Sequence, residues 1–432
     1  MTPLLILQMS PPPDVLDYIF SFLESDFVAL KACSLSHPFL SQFAERYLYA
    51  TIKLQDGGFV GPDTGLRVFE FNQLLLDTPR IGSCVRTVQV VILHKPQFDV
   101  TDLTHISSIL QELSLVKKIA LIQEGSRGDF SWQNLPEAFR QAFLKCLCLP
   151  SMVELSLEYV VDFPLSALKD CTTIKILKLR NWKHDPKSKV TRDALVHPLP
   201  PIESLSLNHC ERKSLQKMLP WLEKRNIRSL SFSKGFSERD DFDVLSDILP
   251  RCSIHLTALD LDVRHRCMLF SFNQMFAPKS YGTTVQTHYN LTTRAVTYGD
   301  PIPITLSPLL HLEKLTIRGI VYLYYTHLNE WRVSTSIPAI SNLLKTSSSL
   351  KCLSLVLLCY IVNSTNSPLS SASWLPLVRL FTESSISSFR LHIKTGKGVD
   401  VVKLLTSFAD CAELMKLVDE GVLVITPTVF KH

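Results

Sequence analysis

A short apolar motif recurs along most of this chain and limits the folds open to it more than any other feature. Each copy has an apolar residue, two variable residues and then Leu-x-Leu or a close variant. The clearest copies start at positions 152, 174, 202, 227 and 256, at nearly even intervals. Further copies start at 312, 350 and 386, and weaker ones at 85 and 116. Because matches to so short a pattern also arise by chance, the regular spacing is the stronger evidence.

The motif predicts strands that are apolar on one side. Alternating residues of a strand point to opposite faces, so the leucines face inward and the variable residues face outward. Since one unit cannot bury its own leucines, neighbouring units must stack. The segments 211–226 and 238–252, which lie between copies, have helical patterns.

The intervals fall in or near the period of leucine-rich repeats, roughly 20–29 residues. The pattern resembles that family of repeats. It predicts an α/β fold, an irregular solenoid with parallel strands on its concave side and helices outside.

One long interval between motif copies and the tail of the chain define the expected domain map. The interval from Leu256 to Leu312 is about twice as long as the earlier ones and is rich in Thr, Tyr and Gly. It predicts an insertion near 264–305, either a hairpin or loop for recognition or a variable surface loop. The tail predicts a helix and an edge strand, Val422–Ile425, as a C-terminal cap near 399–432. The solenoid is therefore expected over 55–432.

Three short helices are predicted for the N-terminal segment, 1–54. Asp14 and Asp26 are candidate caps for the first two, and Pro38 suits the start of the third. In the first helix, Leu16, Ile19, Phe20 and Leu23 form one apolar stripe, whereas Val15, Ile19 and Phe22 form a second. One stripe can pack on the other two helices. The second needs cover from the rest of the chain or from another protein.

This segment resembles an F-box. Its acidic, apolar and aromatic residues match the family pattern at eleven positions: Pro12, Asp14, Val15, Leu16, Ile19, Leu23, Asp26, Leu30, Cys33, Leu35 and Phe39. The usual leading leucine is replaced by Pro11 and the usual tryptophan by Phe39. An N-terminal F-box followed by irregular leucine-rich repeats resembles a large class of fungal F-box proteins.

The resemblance implies that the chain is the substrate-recognition subunit of an SCF-type (Skp–cullin–F-box) ubiquitin ligase. The helical unit, 1–54, would bind a Skp-type adaptor and through it a cullin–RING ligase, and the repeats would bind a protein substrate. The implied adaptor-binding residues are Pro12, Pro13, Val15, Leu16, Ile19, Leu23, Leu30, Cys33, Leu35 and Phe39. An alternative is a leucine-rich-repeat interaction scaffold whose helical unit only caps the solenoid.

Composition argues against several other functions. A net charge of +5 over 432 residues is too slight to indicate nucleic-acid binding. No apolar run is long enough to predict a membrane-spanning helix, and the N-terminus lacks a signal-peptide pattern. The eleven scattered cysteines predict free thiols in a reducing compartment, cytoplasmic and/or nuclear.

Catalytic and cofactor motifs are also missing from the sequence. We find no nucleophile elbow, phosphate-binding loop or zinc-protease motif, so we expect a non-catalytic subunit without a cofactor or metal. A hydrolase-like site built from distant residues is the remaining enzyme alternative.

Charged residues on the outward strand positions are the candidates for substrate binding. Their charges are mixed, which favours a peptide of mixed charge, and Lys314, Arg318 and Arg390 form a basic set suited to an acidic or phosphorylated segment. The full candidate set is Lys178, Arg180, Asp260, Asp262, Lys314, Arg318 and Arg390.

Overall fold

A computed structural model describes most of the chain. The described residues are 12–55, 67–93, 100–124, 130–183, 201–222, 226–233, 239–262, 306, 309–325, 331–334, 344, 349–362, 374–395 and 401–429. The chain divides into two compact units, residues 1–201 and residues 202–432. Each unit is α/β, with parallel strands and helices.

The first unit begins with three helices, α1 (Pro13–Phe22), α2 (Phe27–Ser36) and α3 (Pro38–Leu48). Strands and helices then follow one another. They are β1 (Thr51–Gln55), α4 (Val68–Asp77), β2 (Thr87–Leu93), α5 (Val100–Glu112), β3 (Lys118–Glu124), β4 (Phe130–Ser131), α6 (Glu137–Leu147), β5 (Glu154–Glu158), β6 (Val160–Val161) and β7 (Ile176–Arg180). Three short 3-10 helices lie at Pro79–Ile81, Trp132–Asn134 and Leu165–Asp170.

The strands of the first unit pair in chain order, β1-β2-β3-β5-β7, and every pair is parallel. Strands β4 and β6 form a separate two-stranded sheet. Parallel neighbours in chain order require each connection to cross back over the sheet, as in stacked strand–helix units. The arrangement is compatible with a solenoid.

The second unit repeats this plan. Its elements are β8 (Ser204–Asn208), α7 (Arg212–Leu222), β9 (Ser229–Ser233), α8 (Arg239–Cys252), β10 (Ala258–Asp262), β11 (Lys314–Tyr325), β12 (Trp331–Ser334), β13 (Cys352–Val362), α9 (Leu375–Thr382), β14 (Ser388–Thr395), α10 (Val401–Ala409), α11 (Ala412–Asp419) and β15 (Leu423–Val429). The parallel order is β8-β9-β10-β11-β13-β14-β15, and β12 pairs antiparallel with β11.

The core lies on the leucine side of the strands. Leu155 and Leu157 of β5 are fully buried, whereas the alternate residues Glu154, Ser156 and Glu158 are only half-buried. The same alternation holds in β8 and β9. Helices contribute large buried side chains of their own, such as Phe139 and Phe143 of α6. Each unit is thus a sheet with one buried and one accessible face.

All ten predicted motif copies lie on strands, and the strands are parallel as expected. The C-terminal strand is confirmed at Leu423–Val429, although two helices precede it where one was expected. Strand β1 starts at Thr51, so residues 51–54 belong to the sheet and not to the helical unit. The predicted insertion, 264–305, lies outside the described residues.

Local caps explain where the N-terminal helices begin. The Asp26 carboxylate accepts a hydrogen bond from the Ala29 amide at 3.0 Å, as predicted. His37 caps α3 through its ring nitrogen, which accepts from the Phe39 amide, and Pro38 is the first helical residue. The expectation for Asp14 is wrong: α1 starts at Pro13 with Pro12 as its cap position, and Asp14 lies in the first turn.

A buried strand leucine provides a test of this core. We expect Leu155→Ala to lower the free energy of unfolding by about 2–5 kcal/mol, because it removes apolar contacts and leaves a cavity. The neighbouring Ser156 points to the other face, so Ser156→Ala should change the free energy of unfolding by less than about 0.5 kcal/mol. Chemical denaturation of both variants measures the difference. Equal effects would mean that the assigned strand register is incorrect.

Candidate protein-interaction surfaces

The three N-terminal helices have a small core of their own. Leu16 and Phe20 of α1, Leu30 of α2, and Phe43 and Ala44 of α3 are buried against one another. The Phe20 ring stacks on Phe43 with a centroid separation of 6.1 Å. These contacts place Leu16 and Phe20, two residues of the first apolar stripe of α1, inside the helical unit.

Polar contacts fix α3 against α1. The Tyr47 hydroxyl donates to the Asp17 carbonyl at 2.9 Å, and the Arg46 guanidinium pairs with the Asp17 carboxylate at 3.2 Å. Burial, with the nearby Asp17 carboxylate, raises the pKa of Tyr47 above its ordinary value. Tyr47 therefore stays a hydroxyl donor throughout the physiological range.

Helices α1 and α2 also expose seven large apolar side chains, which we call together the apolar helical surface. The side chains of Phe22, Val28 and Leu35 are 69%, 81% and 81% exposed. Tyr18 and Phe22 contact each other edge to face, with centroids 4.9 Å apart. The surface comprises Val15, Tyr18, Ile19 and Phe22 of α1 and Phe27, Val28 and Leu35 of α2. An exposed apolar cluster of this kind is typical of an interaction site.

The predicted adaptor-binding residues divide into three groups. Pro12, Pro13, Val15, Ile19 and Leu35 are exposed. Leu23, Cys33 and Phe39 are half-buried and pack against the core of the helical unit. Leu16 and Leu30 are 6% and 0% exposed, so these two residues hold the helices together and have no surface to offer a partner.

Four residues of the apolar helical surface were not among the predicted contacts: Tyr18, Phe22, Phe27 and Val28. The signal for Phe22 was present, since it lies on the second stripe of α1. The predicted contacts are the positions that match the F-box pattern. Such a pattern includes core residues as well as surface residues and does not distinguish them. The structure makes that separation.

Contacts within the first unit connect α3 to the sheet. The Arg80 guanidinium pairs with the Glu45 carboxylate at 2.9 Å, and the Tyr49 and Phe71 rings lie 6.1 Å apart. The Ala50 carbonyl accepts hydrogen bonds from the amides of Arg86 and Thr87, at 2.9 Å each. The helical unit is therefore continuous with the strands that follow it.

The accessible strand face of the first unit is crossed by ion pairs. Glu154 contacts both Lys118 and Lys178, and Glu158 pairs with Arg180 at 3.3 Å. The Arg180 guanidinium also lies over the Tyr159 ring, 5.9 Å from its centre. Lys178 and Arg180, predicted for substrate binding, are exposed but already face carboxylates of the neighbouring strand.

In the second unit, Arg318 and Asp260 form a two-point ion pair. Nitrogen-to-oxygen distances are 2.7 and 3.1 Å, and the Asp260 carboxylate raises the pKa of Arg318. Asp262 is 5% exposed and accepts a hydrogen bond from the Ser233 hydroxyl at 3.0 Å. Asp260 and Asp262, both predicted for substrate binding, therefore already contact side chains of neighbouring strands.

The three predicted basic residues lie on two strands of the second unit. Lys314 and Arg318 lie on β11, whereas Arg390 lies on β14, with β13 between them. Two strand spacings amount to about 9–10 Å. The backbones of Arg318 and Arg390 are therefore separated by at least this distance, and the Arg318 guanidinium already pairs with Asp260.

A groove of about 960 Å³ lies beside the starts of β10, β11 and β13. If the β10–β11 register is extended to the residues before the strands, Ile254 corresponds to Leu310 and His255 to His311. The side chains of Ile254 and Leu310 are exposed. Glu313 pairs with Lys351, which lowers the pKa of that carboxyl. Sequence reasoning missed this groove. Its signal was an aliphatic residue followed by His-Leu, found at 254–256 and again at 310–312.

Within the described part of the chain, no cluster of three or more His, Cys, Asp or Glu side chains is placed to hold a metal ion. None of the helices described is both long and apolar enough to cross a membrane. No protein-family model matches the chain, and no curated protein matches it either.

The Arg318–Asp260 pair can be tested by a double-mutant cycle. We expect Arg318→Ala and Asp260→Ala to show a coupling free energy of about 0.5–1 kcal/mol, the upper part of the range for exposed pairs, because the contact is two-point but open to solvent. Thermal or chemical unfolding of the two single variants and the double variant gives this value. The more exposed Lys351–Glu313 pair serves as the comparison and should couple more weakly. A coupling of zero at Arg318 would mean that the pair does not persist in solution.

Proposed function

We propose that this chain is the substrate-recognition subunit of an SCF-type ubiquitin ligase. The observation that carries the proposal is the apolar helical surface, which stays exposed on a helical unit whose own core is complete. The three short helices lie where the sequence resembles an F-box, which supports the proposal. In this proposal the helical unit is an F-box, and the strand–helix units are irregular leucine-rich repeats.

The energetics favour a protein partner over water at this surface. A fully buried Phe, Leu or Val side chain is worth roughly 1.5–3 kcal/mol relative to an exposed one. Seven large exposed apolar side chains on two consecutive helices therefore represent a substantial unused gain. A Skp-type adaptor, which binds F-box helices, would cover them.

The rest of the chain would hold the substrate. Accessible strand faces and the groove beside β10, β11 and β13 offer polar and apolar contacts for a protein segment. No bond-making residue is required, because the ligase works by keeping the substrate close to the ubiquitin-loaded enzyme.

A specific observation favours a second candidate, an interaction scaffold without a ligase link. The Glu45–Arg80 pair and the backbone contacts of Ala50 join the helical unit to the sheet, as expected of a terminal cap. A cap of this kind does not need an adaptor. The two candidates therefore differ in whether the apolar helical surface binds one.

Adaptor binding is tested most sharply with surface variants. We expect Ile19→Asp and Phe22→Asp to weaken co-purification with a Skp-type adaptor at least tenfold, or about 1.4 kcal/mol. Each places a charge at an exposed apolar contact without disturbing Leu16 or Phe20. Co-expression followed by pull-down measures the loss, and circular dichroism checks that each variant is folded.

Two controls make the result specific. Gln42→Asp adds the same charge at an exposed position of α3 outside the apolar helical surface and should leave binding unchanged. Leu30→Asp enters the core and should unfold the helical unit, so it reports on structure and not on contact. If the intact, folded chain never retains an adaptor, the scaffold function replaces the ligase function.

A further inference from the structure

Two cysteine thiols of the first unit lie in contact. Cys148 follows the last residue of α6, and Cys171 follows the 3-10 helix Leu165–Asp170. Their sulfur atoms are 3.2 Å apart, and both residues are free thiols. A disulfide needs about 2.05 Å between sulfurs, so closing one takes a movement of only about 1.2 Å.

We propose that Cys148 and Cys171 form a reversible modification site, a dithiol that a peroxide converts to a disulfide. The site is independent of the function proposed above. It would connect two successive strand–helix units of the first unit, since the bridged segment contains β5 and the two ends lie at neighbouring helices.

The two thiols differ in exposure, and the difference indicates which of them reacts first with a peroxide. Cys148 is exposed, whereas Cys171 is 1% exposed. Burial raises the pKa of the Cys171 thiol well above its ordinary value, and the hydrogen bond with Cys148 raises it further. A buried thiol that keeps its proton reacts slowly with an oxidant, so Cys148 meets the peroxide first.

The chemistry balances in two steps. The Cys148 sulfur attacks the peroxide, the O–O bond breaks, and a sulfenic acid and one water form. The Cys171 sulfur then attacks the Cys148 sulfur, the new S–S bond replaces the S–O bond, and the Cys171 proton leaves with the hydroxide as a second water. Overall, two thiols and one hydrogen peroxide give one disulfide and two waters. An external dithiol reverses the reaction.

The disulfide would act mainly by restricting the unfolded chain. It closes the loop that runs from Cys148 to Cys171. Cross-links of this loop length stabilise a folded domain when the native geometry accommodates them. The oxidised chain should therefore unfold at a temperature several degrees higher than the reduced chain.

Peptide mapping of the full chain tests the proposal. The purified, reduced protein is treated with a small excess of hydrogen peroxide, alkylated with N-ethylmaleimide and digested with trypsin without reduction. We expect peptides 146–169 and 170–175 to be joined, and to separate after treatment with dithiothreitol. Because Cys146 shares a peptide with Cys148, the same map is repeated on Cys146→Ser, which should keep the bridge.

Single variants separate the proposed order from chance oxidation. In Cys171→Ser, Cys148 should be trapped by a sulfenic-acid reagent, and in Cys148→Ser, Cys171 should stay reduced. Cys252→Ser, which removes a buried thiol elsewhere, should behave as the unaltered chain. The proposal fails if the folded chain loses its Cys148 thiol to peroxide without joining Cys171, or if the bridge disappears in Cys146→Ser.

Discussion

Burial of strand leucines between neighbouring units is the interaction on which the rest of this structure depends. A short strand such as β5 buries only two leucines, too little to be stable alone. Hydrogen bonding to a parallel neighbour on each side extends the apolar face from strand to strand. The helices then cover that continuous face, and the opposite face stays free for polar side chains. This division of the sheet into a buried apolar face and an accessible polar face determines the fold and leaves the strand positions that are candidates for binding.

The division also explains why the strands were predictable and the charge contacts were not. Leucine alternation is a local pattern, so the ten motif copies could be assigned to strands without knowing their neighbours. An ion pair such as Arg318–Asp260 depends on which strand lies beside which, across a long stretch of intervening chain. The sequence shows that both side chains face outward, but the register between β10 and β11 decides that they meet.

In the helical unit, too, the local sequence pattern indicates the helices but not all of their tertiary contacts. Periodicity indicated two apolar stripes on α1. The structure buries Leu16 and Phe20 of the first stripe and exposes the whole second stripe, including Ile19, which belongs to both. Periodicity alone could not state which residues of α2 belong to the core, because apolar side chains surround most of that helix. Leu30 is buried and Leu35 is exposed, although both match the same motif. Packing against Phe43 and Leu16, and not residue type, separates them.

The helical unit stands directly before the first strand of the sheet, and this position bears on both candidate functions. A stack of strand–helix units must end somewhere, and an exposed first strand would offer unpaired backbone groups and apolar side chains to other chains. In the first unit, α3 leads directly into β1, and the Glu45–Arg80 pair fixes the helices to the segment before β2. None of the seven residues of the apolar helical surface takes part in these contacts. The contacts with the sheet and the proposed partner binding thus use different residues of the same three helices. The contacts that support the scaffold function therefore do not exclude adaptor binding.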